Sequence, residues 1–200
     1  MKLTLFRHAA YDSPWWAFPS RRSGRFHRAR QDTVQYVCLH PLGPAAEMLR
    51  HNVGPDGDPG QVVLNLWTAV VDIEGVPQID FADCHTYGRT ADELVGDDYA
   101  PTQALADTVR ARGTTAMITP SAALHGTHNM ILFGVRVAHP FLWEPLMPEE
   151  IPTGHLTDGA RAAAEVAEHV RWFGTPHRAV EQWKATGSYD LFDDPIAMRW

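Results

Sequence analysis

The chain has 200 residues, 44% of them hydrophobic and 10% aromatic, which is the composition of a globular domain with a sizeable core and excludes a disordered chain. A formal net charge of −7 disfavours general nucleic-acid binding, and no apolar run approaches the length of a membrane span. Cys38 and Cys84 are too few for a disulfide framework, the 11 His residues include no HExxH or CxxC pattern, and MKLTLFRHAAYD turns polar too early for a signal peptide. A metal-free, cytoplasmic protein is therefore expected.

In chain order, Leu3 to Phe6 reads as a first strand ending at Arg7. A loop follows from Tyr11 to Arg30, with Trp15, Trp16 and Phe18 as expected anchors, and Val34 to Leu39 is rich in strand formers. Pro41 to His51 predicts a helix that turns Ala45, Ala46, Met48 and Leu49 inward and carries Glu47 on its second turn. GPDGDPG at 54–60 is a turn-rich break, Gln61 to Ile73 reads as one long or two short strands, and Val76 to Phe81 as a further extended piece. Thr90 to Glu93 offers a capped start for a short helix, and Thr102 to Arg112 predicts a longer one stopped by Gly113. Thr115 to Thr119 and Met130 to Val137 read as strands around PSAALHGTHN. The Ala-rich stretch Asp158 to Phe173 predicts a helix ended by Gly174 and Pro176, Pro176 to Thr186 another, and SYDLFDDPIAMRW a tail. Several strands in succession, without regular helix–strand alternation, argue for an α+β fold, and the absence of GxGxxG gives no Rossmann site.

Four residues in the first 50 carry chemistry: Arg7 in LFRHA, Arg25 in SGRFHRAR, and Tyr36 and Glu47 in QYVCLHPLGPAAEMLRH. Guanidiniums take phosphate in bidentate fashion, an aromatic face stacks on a ring, and a carboxylate stabilises the cation that develops when a glycosidic bond breaks. Arg21, Arg22, Arg25, Arg28 and Arg30 form a local basic run that suits a small polyanion better than a duplex. A charged residue in AAEML, on the apolar side of a helix, is costly to bury alone.

These segments resemble the RES family, the toxin half of the RES–Xre toxin–antitoxin systems. Members show an early aromatic–Arg pair, a Gly-Gly-Arg-Trp-Asn stretch and a Tyr strand running into a helix bearing Glu; here Phe6-Arg7, Gly24-Arg25-Phe26 and the run from Tyr36 to Glu47 match in order. GDDYAPTQALADTVRARGTTAMITPSAA is similar to the family's later block, so that the resemblance covers roughly residues 1–137. Ser23 and His27 depart from it, standing where the family usually has Gly and Asn.

The resemblance implies an α+β fold with an ADP-ribosyltransferase-like split β-sheet core, flanking helices and NAD in the cleft. Residues 1–140 would form the catalytic domain; residues 141–200 lie beyond the resemblance, and their many aromatics predict a helical C-terminal extension packed on that domain or on a second copy. It implies cleavage of the nicotinamide–ribose bond of NAD, with ADP-ribose passing to water or phosphate. The alternatives are an ADP-ribosyltransferase with a protein or small-molecule acceptor and a non-catalytic nucleotide-binding module. Glu47, Arg7 and Tyr36 take the catalytic positions, and Arg25, Arg7, Tyr36, Tyr99, Gln103 and Ser121 the NAD-binding ones, with no metal. Ser121 lacks a His–Asp constellation, so a hydrogen-bonding or loop-shaping role is expected, and Asn129 closes the set. An Xre-type antitoxin, a homodimer and NAD depletion as the biological outcome follow from the same resemblance.

Overall fold

The computed structural model describes residues 2–9, 14–15, 17–72, 74–134 and 153–192. Six strands make one antiparallel sheet: β1 (Lys2–His8), β2 (Val34–Cys38), β3 (Val63–Asp72), β4 (Ala116–Pro120), β5 (His128–Phe133) and β6 (Thr153–Arg161), in the order β4-β5-β2-β1-β3-β6. The helices are α1 (Gly43–Asn52), α2 (Ala91–Val95), α3 (Ala100–Ala111), α4 (Ala164–Ala167) and α5 (Arg178–Thr186). The α+β expectation therefore holds.

The sheet is nearly two sheets. β1 pairs with β3 through seven consecutive residue pairs, from Lys2–Asp72 to His8–Leu66, and β2 with β5 through five, whereas β1 meets β2 only at Phe6–Cys38. On either side of that pair the central strands diverge, and the divergence opens the cleft described below.

Both faces of the sheet are covered, and strand alternation sorts the side chains. Met117 and Ile131 face a cluster with Leu94, Leu105, Val109 and Val180 from α2, α3 and α5, while their neighbours Ile118, Met130 and Leu132 face a second cluster with Leu5, Val37, Val71 and Trp15. A third cluster joins Ala46 and Leu49 of α1 to Leu64, Leu124, Val166 and Val170. Residues beyond 160 thus complete the cores of the first 140. Arg171 N–H also donates to Ala123 O, and His177 Nε2–H to Ser121 O, both at 2.8–3.0 Å.

α1 begins where Pro44 supplies a preset φ and needs no hydrogen-bond partner. Gly43 lets it start hard against β2, since a Cβ there would lie 2.6 Å from the Cβ of Cys38. Thr90 and Glu93 close a reciprocal capping box on α2, as their spacing predicts.

The Ala-rich stretch from Asp158 to Phe173 is not one helix. Its first part belongs to β6, and only Ala164–Ala167 is helical. β3 offers a second edge that would otherwise be unpaired, and pairing along it outweighs the modest helix preference of Ala. Gly159 at φ +69° shows the local backbone bent away from either regular form. The extension is therefore not purely helical, for it supplies the sixth strand. Val76 to Phe81 reduces to an isolated bridge between Gln78 and Ile118, and Phe18 is 84% exposed where an anchor was expected, while Trp15 is buried. Trp16, residues 135–137 of the strand predicted from Met130 to Val137, and Trp200 lie outside the described residues.

Candidate active site

A cavity of about 400 Å3 occupies the seam between the two halves of the sheet. Phe6, Arg7 and His8 of β1 line one wall, Tyr36 and Cys38 of β2 another, α1 contributes Glu47, Met48, Arg50 and His51, and the 23–26 loop, Tyr99 and Asn129 are among the other lining residues. Arg7, Arg25, Tyr36, Glu47 and Tyr99 thus meet around one space despite lying as far as 92 positions apart in the chain.

Glu47 keeps 31% of its side chain accessible. Asn129 Nδ2–H donates to its Oε1 at 3.0 Å, and His51 Nε2 lies 3.6 Å from its Oε2, one helical turn away. Burial pushes this carboxyl up, but the His51 contact, the charge of Arg50 and the Asn129 amide together hold it below the ordinary value. It is therefore ionised at neutral pH. Cys38, also on the wall, has its thiol pushed well up by burial and then by Glu47, so it stays protonated.

Arg25 is fixed by Nη1–H bonds to the carbonyls at the end of α2, Gly96 O at 2.6 Å and Leu94 O at 3.3 Å, with its guanidinium 5.0 Å from the Tyr99 ring centroid. Burial lowers its pKa, opposed by Glu47 and Tyr99, and it remains a cation. Arg7 donates through Nη1 to Oε1 of the buried Gln35.

The Tyr36 hydroxyl organises the loop that carries Arg25. Phe26 N–H donates to it at 3.0 Å, and it donates to His27 Nδ1 at 2.8 Å, because His27 Nε2–H is committed to Arg22 O at 3.0 Å. His27, the departure from the family pattern, fills the loop with both ring nitrogens engaged. Gly24 is required here, since a Cβ would lie 2.4 Å from the His27 ring and 2.9 Å from the Tyr36 hydroxyl. Burial raises the Tyr36 pKa, so its hydroxyl is neutral.

Two of the expected residues stand behind the cavity, outside its wall. Gln103 Nε2 donates to the carbonyls of Gly24 and His27 at 3.0 and 3.1 Å and clamps the loop from α3. Ser121 is fully buried, its Oγ accepting from Ala123 N–H and Leu124 N–H at 3.3 and 3.2 Å.

A cationic floor escapes sequence reasoning. The Arg50 side chain is 1% exposed, donates to Asp97 Oδ1 at 2.6 Å and to Ala122 O, and lies 4.3 Å from the Phe173 ring centroid. Asp97 also binds Arg171 Nη1 at 2.7 Å and accepts from Gly174 N–H at 2.7 Å. Burial lowers Arg50 to about 10, with Arg171 and Arg25 adding to the effect. Arg50 and His51 follow Glu47 at helical spacings of three and four, a signal the sequence does contain. Asp97 and Arg171 give no such signal, being 74 positions apart.

The family model described as the RES domain matches residues 4–158, past the boundary at 140 expected from sequence. Among curated proteins the chain is similar to the "Probable NAD(+) phosphorylase Rv3189" of Mycobacterium tuberculosis, 32% identical over 117 residues. That match covers 58% of this chain and only 56% of the relative. Among solved structures it is similar in fold to a chain of the M. tuberculosis MbcT-MbcA toxin-antitoxin complex, with a TM-score of 0.55 at 14% identity, covering 86% of this chain and 90% of that one.

Proposed function

This chain belongs to the RES-domain family, and from that premise we propose that it is an enzyme that consumes NAD by breaking the nicotinamide–ribose bond. The observation that carries the reading is the ionised Glu47 carboxylate, part-exposed in a cavity whose walls also hold Arg7, Arg25, Tyr36 and Tyr99. The name of the similar NAD(+) phosphorylase supports the same reading.

In this mechanism the pyrophosphate lies on the guanidinium of Arg25, assisted by Arg7, and the nicotinamide riboside enters beside Tyr36 and Glu47. The C–N bond breaks with its electron pair passing to the pyridine nitrogen, so nicotinamide leaves neutral. The positive charge left on the ribose is stabilised by the Glu47 carboxylate, which Asn129 and His51 hold in place. Tyr36 contributes its ring, since its hydroxyl is tied to the loop.

The acceptor in this reading is inorganic phosphate, whose oxygen forms the new C–O bond to give ADP-ribose 1″-phosphate. An anionic acceptor approaching Glu47 needs an offsetting cation, and the guanidinium of Arg50 lines the cavity beside it. Water would need none. An antitoxin partner is favoured by the likeness to a chain of a toxin–antitoxin complex, and the Xre type of that partner, a homodimer and a cytoplasmic site of action belong to the same proposal.

The test is NAD loss by the purified chain in phosphate-free buffer and with added phosphate, with products separated by chromatography. Phosphate-dependent nicotinamide release and ADP-ribose 1″-phosphate are expected. Equal release without phosphate, yielding ADP-ribose, would replace phosphorolysis with hydrolysis. No NAD loss under either condition would overturn the enzymatic reading.

A further inference from the structure

The cavity of about 400 Å3 stands toward the lower end of the range of roughly 300–1,000 Å3 usual for ligand pockets. NAD has two heteroaromatic ends joined through a pyrophosphate. With the nicotinamide end inside, beside Tyr36 and Glu47, the adenosine end must lie toward the rim.

One aromatic side chain, in contact with the cavity-lining Arg50 and His51, stands in an unusual state. Trp172 and Phe173 are adjacent, but Trp172 packs into the third core cluster while Phe173 remains 45% exposed. The exposure is not that of a loose turn. Arg171 Nη1–H donates to Val95 O at 2.9 Å and to Asp97 at 2.7 Å, its Nε–H to Thr175 O at 2.9 Å, and Gly174 N–H to Asp97 Oδ2 at 2.7 Å. Gly174 turns the chain at φ +77°, a conformation that favours glycine. One side of the Phe173 ring is occupied by the Arg50 guanidinium at 4.3 Å, and the His51 ring meets it edge-on at 5.2 Å. Both Arg50 and His51 also line the cavity. A ring backed by a guanidinium, met edge-on by an imidazole and still 45% exposed, beside two residues that line the cavity, is the arrangement of a base-stacking platform.

We propose that Phe173 is the platform on which the adenine base of NAD stacks, so that a residue of the C-terminal segment selects a dinucleotide over a mononucleotide. The proposal rests on the NAD reading above. It makes Asp97 and Arg171 positioning residues, acting through the turn they hold and not through the substrate.

The experiment compares kcat/KM for NAD with kcat/KM for nicotinamide mononucleotide, which has the scissile bond but no adenosine end. In Phe173→Ala and Phe173→Leu the NAD-to-mononucleotide ratio should fall about tenfold, chiefly through KM for NAD, and Phe173→Trp should restore it. Thermal melting of each variant accompanies the kinetics, and the Leu and Trp forms keep the test open if the Ala form does not fold. A ratio unchanged in Phe173→Leu overturns the platform, because both substrates then depend on Phe173 alike, through Arg50. A wild-type chain that cleaves neither compound refutes the NAD reading itself and the platform with it. A wild type that cleaves NAD with an unaltered ratio in the variants refutes the platform alone.

Discussion

Replacing Glu47 with Gln removes one negative charge and keeps the shape of the side chain. In the fold the variant loses little: the Gln carbonyl still accepts from Asn129 Nδ2–H, and the amide can donate to His51 Nε2, now 3.6 Å from the carboxylate. The melting temperature should stay within about 2 °C of the parent. The transition state loses much more. A full charge about 4 Å from a developing cation, at an effective dielectric constant of about 20, is worth ~4 kcal/mol. The side chain is 31% accessible, and solvent screening reduces that to roughly 2–3 kcal/mol. Such a loss slows nicotinamide release roughly 30- to 150-fold. The assay is release of nicotinamide under saturating NAD, beside a thermal melt of the same preparation. A folded variant that keeps more than about a tenth of parental turnover, a loss under ~1.4 kcal/mol, would refute the assignment of Glu47 as the charge opposite the ribosyl cation.

Arg25→Lys exchanges a planar fork that is stacked near Tyr99 and bonded to Gly96 O for a point charge, so KM for NAD should rise about tenfold with kcat little changed; an unchanged KM would move pyrophosphate binding to Arg7 or Arg50. Asp97→Ala leaves Arg50 and Arg171 without their shared carboxylate and should cost about 3 kcal/mol, a drop in melting temperature of roughly 6–12 °C, with the NAD-to-mononucleotide ratio falling as the 171–175 turn loosens; a melt like the parent's would show the cluster to be dispensable. His177 is buried with Nε2–H committed to Ser121 O, and burial, the Ser121 bond acting against it, and the charges of Arg171, His125 and Arg50 leave its pKa at about 4. The unfolded chain binds this proton near pH 6.5 and the folded one only near 4, so stability present above 6.5 is lost as pH falls toward 4, by about 2 kcal/mol between pH 7 and 5. Urea unfolding should show that loss in the parent and not in His177→Gln, and an equal loss in both would place the pH dependence elsewhere.

Local signals in the sequence predicted local structure well. The inward face of Ala45, Ala46, Met48 and Leu49 marks α1, Thr90 with Glu93 marks α2, and the apolar face of Leu105, Ala106 and Val109 marks α3, because each depends on neighbours three or four residues away. The failure at 158–173 has the opposite origin. What decides β6 is the free edge of β3, roughly 90 positions earlier, and no property of the segment itself announces that edge. Trp172 and Phe173 show the same limit more sharply. The sequence presents two equivalent aromatics, and only the turn fixed by Asp97 sends one inward and the other to the surface.

The candidate site divides along the same line. Arg7, Arg25, Tyr36, Glu47 and Tyr99 were legible through the ordered motifs of a family, and the cavity gathers all five. Gln103 and Ser121 belong to the same motifs, yet the bonds they make go to backbone of the loops that shape the cavity. A motif records which residues a site needs, and does not separate those that face the ligand from those that hold the wall. The seam between β1 and β2 does separate them. Strands that meet only at Phe6–Cys38 expose Arg7 and Tyr36 to a common space, and Gly43, packed on Cys38, sets α1 close enough for Glu47 to reach it. A larger residue at position 43 would push the helix start off the strand and carry Glu47 with it, so the placement of the carboxylate depends on a glycine that no chemical reading of the sequence would select.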